Sequence, residues 1–337
     1  MPIETPVMLL FFNRPNNLKR VFETVKLAQP KKLFLVQDGA RIDRGDEVKI
    51  KQCRDIVSDI SWDCEVFCNY SETNLTCDHR EYTGISWCFE HVDRLIILED
   101  DCVPTQSFYR LCDYLLDKYK DTDNVHSISG FNRLGIYNSR YDYVFSKTGA
   151  GWGWATWKRD WERTEKIRSC MLNGNDDFIN EFQSVVDSSI TKIYGDVVKQ
   201  WYLVKEQYQK TGIIPSWEFF QGMTLVLYDM LTISPTKNMI KYIGVSQDAT
   251  HGSNEIKYVP HIIRKYIEQE AHDISFPLKE PEFPFRDTLF EKENCKLRNY
   301  PQFLYDIEAG ILRLRYGDFD GIRRGISKRL KSKSIVR

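Results

Sequence analysis

Four short apolar runs, each followed by an amphipathic stretch, set the pattern of the first third of the chain. The runs are Pro6 to Phe12, Leu33 to Val36, Cys64 to Phe67 and Leu95 to Leu98, all of strand length. After the first come Leu18, Val21, Phe22 and Val25 at helical spacing, and after the second Ile50, Cys53, Ile56 and Val57. Tyr82, Ile85, Phe89 and Val92 mark a third helix, and Phe108, Leu111, Cys112, Leu115 and Leu116 a fourth. Continuous apolar strands alternating with helices predict an α/β fold with a mainly parallel sheet covered by helices on both faces.

Beyond Ser129 the alternation weakens. Tyr141 to Phe145 reads as a strand, and Gly149 to Trp161 as an aromatic, glycine-rich segment. Residues 162–212 read as polar helix, Trp217 to Met230 as apolar helix, and Leu231 to Ser234 and Met239 to Ile243 as short strands. From about Asn254 the chain is charged and spotted with Pro277, Pro281 and Pro284, which reads as a linker or an arm wrapping the domain. The division expected is a main domain over 1–254 and a helical extension with a basic tail over 255–337.

Composition narrows the classes. With Lys+Arg 47 against Asp+Glu 48 the net charge is −1, which argues against a nucleic-acid binder. Nine cysteines follow no framework. Cys64 and Cys68, four apart in a strand, predict a buried pair of reduced thiols rather than zinc ligands, since no second pair lies at ligand spacing. Reduced cysteines, no signal-like N-terminus and no apolar run of membrane-spanning length lead to the expectation of a cytoplasmic protein.

In open parallel sheets ligands bind beyond the carboxyl ends of the strands. Here those ends carry Asn13-Arg14, Gln37-Asp38-Gly39, Asn69-Tyr70 and Glu99-Asp100-Asp101. The same residues could cap helices and turns, but all four ends together favour a site. Three adjacent carboxylates repel one another, and a hard divalent cation, Mg²⁺ or Mn²⁺, relieves that repulsion; Asp101, on the loop side, is the expected ligand. The first turn lacks G-x-G-x-x-G, and the chain has no Walker motif, G-x-S-x-G or H-E-x-x-H.

Five ordered motifs resemble GT-A-fold glycosyltransferases. They are Phe11 to Pro15, Val36 to Gly39, Ile96 to Pro104, Gly151 to Trp157 and Gly244 to His251. More narrowly, the chain is similar to bacterial family-2-like sugar transferases labelled hemolytic-protein-like, and more distantly to the Golgi N-acetylglucosaminyltransferase that begins hybrid N-glycans. The resemblance covers residues 5 to 254. It implies a Rossmann-like GT-A fold, a nucleotide-sugar donor, commonly a UDP-sugar, and Mn²⁺ or Mg²⁺ on its diphosphate. By it, Asp101 contacts the metal, Asp38 with Gly39 lies at the uracil, and Asn13 and Arg14 lie by the nucleotide beside Glu99 and Asp100. Arg80 faces the diphosphate. Relatives carry an acid in a Trp-Asp segment, matched here by Trp217-Glu218, so Glu218 is the expected base that deprotonates an acceptor hydroxyl. His251 is placed on the metal or a phosphate oxygen. One of Trp152 and Trp154 is expected to stack on a sugar, with Trp157 in the core.

The reading is an inverting, metal-dependent glycosyltransferase acting on a glycan or lipid-linked glycan. Its alternatives are a nucleotidyltransferase that makes an activated sugar, for which Phe11 to Pro15 supplies no glycine-rich loop, and a non-catalytic carbohydrate-binding protein. Residues 321–337 hold seven basic side chains and no acid. With Ile322, Ile326 and Leu330 four apart, they predict a peripheral contact with anionic membrane, and with it a place at the inner face of the plasma membrane.

Overall fold

The computed structural model describes residues 2–149, 151–185, 196–214, 216–245, 256–298 and 300–323. The first half is built of β1 (Val7–Phe11), α1 (Pro15–Ala28), β2 (Lys32–Gln37), α2 (Glu47–Val57), β3 (Glu65–Tyr70), α3 (Cys77–Cys88), β4 (Arg94–Glu99), β5 (Cys102–Pro104), α4 (Gln106–Lys118) and β6 (Val125–Ser129). Then come β7 (Tyr143–Ser146), β8 (Trp154–Trp157), α5 (Lys158–Leu172), α6 (Asp177–Val185), α7 (Val197–Thr211), α8 (Glu218–Leu227), β9 (Leu231–Pro235) and β10 (Ile240–Tyr242). A 3₁₀ turn (Ile256–Tyr258) and helices α9 (His261–Ile267), α10 (Thr288–Arg298) and α11 (Gln302–Arg315) complete it.

Eight strands form one sheet in the order β3-β2-β1-β4-β8-β6-β9-β7. β1 pairs in parallel with β2 and β4, β2 with β3, and β6 with β9. β8 is antiparallel to both its neighbours, and β7 is antiparallel to β9. β5 and β10 make a separate antiparallel pair. The chain winds outward from β1 to β3, then returns to place β4 on the other side of β1. That reversal opens a crevice at the carboxyl ends of β1 and β4.

Alternation along β1 explains the layers. Val7, Leu9 and Phe11 join one core with Leu18 and Phe22 of α1, Cys53 of α2 and Leu111 of α4. Met8 and Leu10 point the other way, into a second core with Ile85 of α3, Trp161 of α5 and Trp217. Such two-sided burial is what continuous apolar strands require. A third cluster joins Ile167 and Met171 of α5, Ile179 of α6, Trp201 of α7 and Phe220 and Met223 of α8.

The structure departs from the sequence reading at particular places. β3 is an edge strand whose side chains are exposed or half-buried. Cys64 precedes it, half-buried, and Cys68 on it is exposed, so the expected buried thiol pair is not formed; both are free thiols. Within the segment read as a glycine-rich loop, Trp154 to Trp157 is β8, in mid-sheet between β4 and β6. β6 was invisible as a strand because His126, Ser127 and Ser129 interrupt its apolar pattern, yet all are buried. The Pro-spotted stretch after α9 does pack along the body. His272 N–H donates to Asn238 O, Asp287 N–H to Phe145 O, and Ile274 enters the main core. No helix of the described residues is long and apolar enough to cross a membrane.

Trp154 is 1% exposed and stacks on Trp217 at 5.3 Å between ring centroids. Its indole N–H has no hydrogen-bond partner. Replacing the ring removes packing but costs no hydrogen bond, so Trp154→Ala destabilises by about 3–5 kcal/mol, while Trp154→Phe costs less than half of that. Urea unfolding of the two variants checks this; a Phe variant as unstable as the Ala variant contradicts it.

Candidate functional site

The crevice at the β1/β4 reversal is organised by charge. Arg14 directly precedes α1, whose first residue is Pro15. Its guanidinium lies 2.7 Å from Asp100 Oδ1 and donates to Asp101 Oδ2 at 2.8 Å. Phe12 N–H donates to Asp100 Oδ2 at 3.2 Å. Asp100 and Asp101 are both buried. Burial pushes the Asp100 carboxyl up, to about 7, against the pull of Arg14. Burial also works against the Arg14 charge, but the two aspartates outweigh it and raise its pKa further.

At the end of β2, Asp38 is buried and accepts from Gly39 N–H at 2.9 Å, Leu75 N–H at 2.8 Å and Asn74 Nδ2 at 2.9 Å. Burial raises its pKa and these bonds oppose the rise. A Cβ on Gly39 would meet the Thr73 backbone at 2.5 Å, so only glycine lets the 73–76 loop close over this strand end. Arg80, on the first turn of α3, is buried rather than solvent-facing. It donates to Gln37 O at 3.1 Å and to Asn69 Oδ1 at 2.8 Å, tying β2 to β3. Asn13 Nδ2 donates to Asp46 Oδ1 at 2.6 Å, and Arg41 holds the same carboxylate with Nε at 2.8 Å and Nη2 at 2.9 Å. The Arg41 side chain lowers the Asp46 pKa to about 2.

These groups line a cavity of about 250 Å³ that includes Asn13, Arg14, Asp38, Arg41, Asn74, Arg80, Glu99 and Asp100. Three guanidinium groups and three carboxylates therefore meet at the carboxyl ends of β1, β2 and β4. The sequence singled out most of them. It gave no weight to Arg41, Asp46 and Asn74, which sit in polar stretches without periodicity.

Glu218 opens α8 and lies where a Cβ on Gly151 would have to go, so the glycine makes room for the carboxylate. It faces a second, smaller cavity of about 110 Å³ with Arg133, Gly149, Gly151, Gln221 and Arg298. Glu99 lines the first cavity, and the buried Glu81 lies on α3. Burial raises both pKa values well above the usual carboxyl range; Glu99 and then Glu218 add to the rise at Glu81, and Asp101 and then Glu218 to that at Glu99. Glu81 is 1% exposed, and its Oε1 has no hydrogen-bond partner. Sequence reasoning missed Glu81. It falls on α3 beside Arg80, and the signal that could have found it is its phase with Ile85 and Cys88, four and seven residues on, on the apolar face of the helix.

The aromatic loop divides. Trp152 is half-buried and stacks flat on Tyr242 at 4.1 Å, with Phe131 at 4.6 Å. Trp154 lies in the core, as does Trp157, whose indole N–H donates to Leu116 O. β10 leads to Gly244, whose Cα lies against the Asp101 carboxylate and the Tyr242 hydroxyl. Ile243 N–H donates to Asp101 O at 2.9 Å. His251 lies outside the described residues. Among the described residues no three His, Cys, Asp or Glu side chains converge as ligands for a metal ion, and Arg14 stands on the oxygens of both aspartates. Asp100 and Asp101 are thus paired with Arg14 here, and the step proposed below is written for the chain's own residues.

The Asp46 network carries a pH signature. An acid whose folded pKa is depressed adds stability above its unfolded value near 4 and loses it as pH falls through about 2. With Arg41 half-exposed, the effect is screened to about 1–2 kcal/mol. Between pH 5 and pH 2.5 the parent should lose this increment in chemical unfolding, and Asp46→Asn should show a correspondingly flatter acid limb.

No protein-family model matches the chain, and no curated protein matches it. Solved structures overlap it in part. A mannosyltransferase from Pyrobaculum calidifontis, in complex with GDP-Man and Mn²⁺, is 12% identical over 67% of this chain and 70% of its own, with a TM-score of 0.32. An apo UDP-glucose pyrophosphorylase is 9% identical over 71% of this chain and 93% of its own, at 0.34. A 4-diphosphocytidyl-2C-methyl-D-erythritol synthase from Anaerococcus prevotii is 10% identical over 49% and 76%, at 0.29. All three lie well below the TM-score at which a likeness would bear on activity, and no assignment rests on them.

Proposed function

We propose that the protein is a glycosyltransferase that takes a sugar from a nucleoside diphosphate donor, a UDP-sugar first among them, and passes it to a hydroxyl of a glycan or lipid-linked glycan. The observation that carries this reading is the cavity at the β1/β4 reversal, where Arg14, Arg41 and Arg80 line one space with Asp38, Glu99 and Asp100. Guanidinium groups suit a diphosphate because their fixed forks match its oxygens. The Asp38-held loop at 73–76 gives the base end of the donor a wall.

The chemistry needs one bond made and one broken. The acceptor oxygen attacks the anomeric carbon, the bond from that carbon to the diphosphate oxygen breaks, and the acceptor proton passes to Glu218. Arg14 supplies positive charge where the leaving diphosphate gains negative charge. A single carboxylate acting as base matches a one-step displacement with inversion. Arg133, Gln221 and Arg298 then form the acceptor side around Glu218.

The assay is nucleotide release. UDP-sugars, GDP-sugars and dTDP-sugars are offered with Mn²⁺, with Mg²⁺ or with EDTA, and nucleoside diphosphate is measured. UTP with a sugar 1-phosphate is offered in parallel, and pyrophosphate is measured. The transferase reading expects nucleoside diphosphate in the first arm and no pyrophosphate in the second; the reverse result makes the protein a nucleotidyltransferase. Metal dependence expects loss in EDTA, whereas full turnover in EDTA leaves the guanidinium groups as the cations at the diphosphate.

Two variants locate the chemistry. Glu218→Gln lowers kcat by about 10²–10⁴-fold with donor affinity within a few-fold of the parent. Unchanged turnover moves the base elsewhere. Asp101→Ala abolishes the gain in donor affinity that Mn²⁺ brings, read by titration calorimetry with and without the ion; a Mn²⁺-dependent gain equal to the parent's removes Asp101 from the metal.

A further inference from the structure

α11 is mounted with its polar side inward. Phe303, Leu304, Ile307, Ile311 and Leu314 fall within an arc of roughly 100° at 100° per residue. Phe303 is 62% exposed, Ile307 57%, Ile311 58% and Leu314 58%. The helix buries no residue at all. Its other side holds it to the body. Glu308 accepts from His261 N–H at 2.6 Å, and Arg313 lies over the Tyr258 ring at 4.7 Å. Tyr316, just past the helix, meets Tyr258 edge-on at 6.2 Å. Phe319, further on, is 62% exposed as well. A soluble domain ordinarily turns the apolar side of a helix toward its core. Here it is offered to the outside, as a contiguous patch of a kind that marks an interaction surface.

Charge selects the partner. In and just after the helix Arg313 and Arg323 stand against Asp318 and Asp320, so the net positive charge lies in the sequence of residues 321–337, with seven basic side chains and no acid. A second copy of this chain would bring the same basic segment against itself. An anionic bilayer instead takes the apolar arc below its headgroups and the basic residues at its surface. We propose that the Phe303-Ile307-Ile311-Leu314 face of α11 is a membrane-docking face that seats in an anionic lipid surface, with the basic residues after it supplying the attraction. This is independent of the reaction assigned above, since none of these residues lines either cavity.

The test is co-sedimentation of the full-length protein with phosphatidylcholine vesicles and with vesicles containing phosphatidylglycerol, at low and high salt. The face predicts binding to the anionic vesicles that weakens with salt. It also predicts that Phe303→Ser/Ile307→Ser/Ile311→Ser lowers partition on the order of tenfold or more, with an unchanged thermal melt because the helix buries nothing. Ile307→Asn alone serves as a second, milder variant and shifts partition in the same direction. A parent that stays in the supernatant with anionic vesicles at low salt overturns the proposal. Variants that bind as the parent does also overturn it, and leave the basic segment acting alone. A concentration-dependent dimer in light scattering, dissolved by the same substitutions, assigns the face to a second copy instead.

Discussion

Two adjacent buried aspartates held by one arginine form the constraint on which this structure turns. Asp100 could not sit beside Asp101 at the end of β4 as a bare charge, because burial and the neighbouring carboxylate both oppose its ionisation. Arg14 reaches them from the end of β1, at 2.7 and 2.8 Å, and Phe12 N–H adds a third contact. That reach is possible only because β4 returns to lie beside β1. The strand order, the Pro15 start of α1 and the short β5–β10 pair that places Gly244 beside Asp101 bring the cluster together. The result is a site with strong local charge and little exposed surface, suited to an anion large enough to meet several guanidinium groups at once.

β1, β2 and β4 were legible because each is an apolar run, and the acids at the end of β4 stood out because polar residues at the end of such a run must face something. Arg14, Asp38 and Asn13 followed from the same rule. Glu218 came from the family resemblance, through Trp217-Glu218. The carboxyl ends of parallel strands are where sequence position and spatial position coincide, so a reading along the chain finds them.

The rest was hidden for physical reasons. β6 carries His126, Ser127 and Ser129 into the interior, where Ser127 bonds Thr232 and the His126 ring lies with both nitrogens unpartnered, its pKa lowered by burial to about 3. Polar residues in mid-sheet defeat a reading based on apolar runs. β8 looked like a loop because Gly151 and Gly153 precede it, although they serve close approach to Glu218 and Ile240. Glu81 falls in helical phase with Ile85 and Cys88 on the buried face of α3, and a charged residue on an apolar face escapes a reading that follows apolar positions alone. Arg80, singled out as facing the diphosphate, spends its donors on strand-end carbonyls and Asn69. It still lines the cavity, so it positions the site's walls whatever else it touches.

The account treats Arg14 as the counter-charge first of two aspartates and then of a donor's diphosphate. Isothermal titration of UDP, and of uridine as the control without phosphates, into the parent and into Arg14→Gln tests that directly. The account predicts that UDP binds the parent at least about tenfold more tightly than uridine does, and that Arg14→Gln removes most of the difference. UDP and uridine binding alike to the parent, with GDP and CDP no better, or an Arg14→Gln protein that keeps the parent's preference, would contradict it.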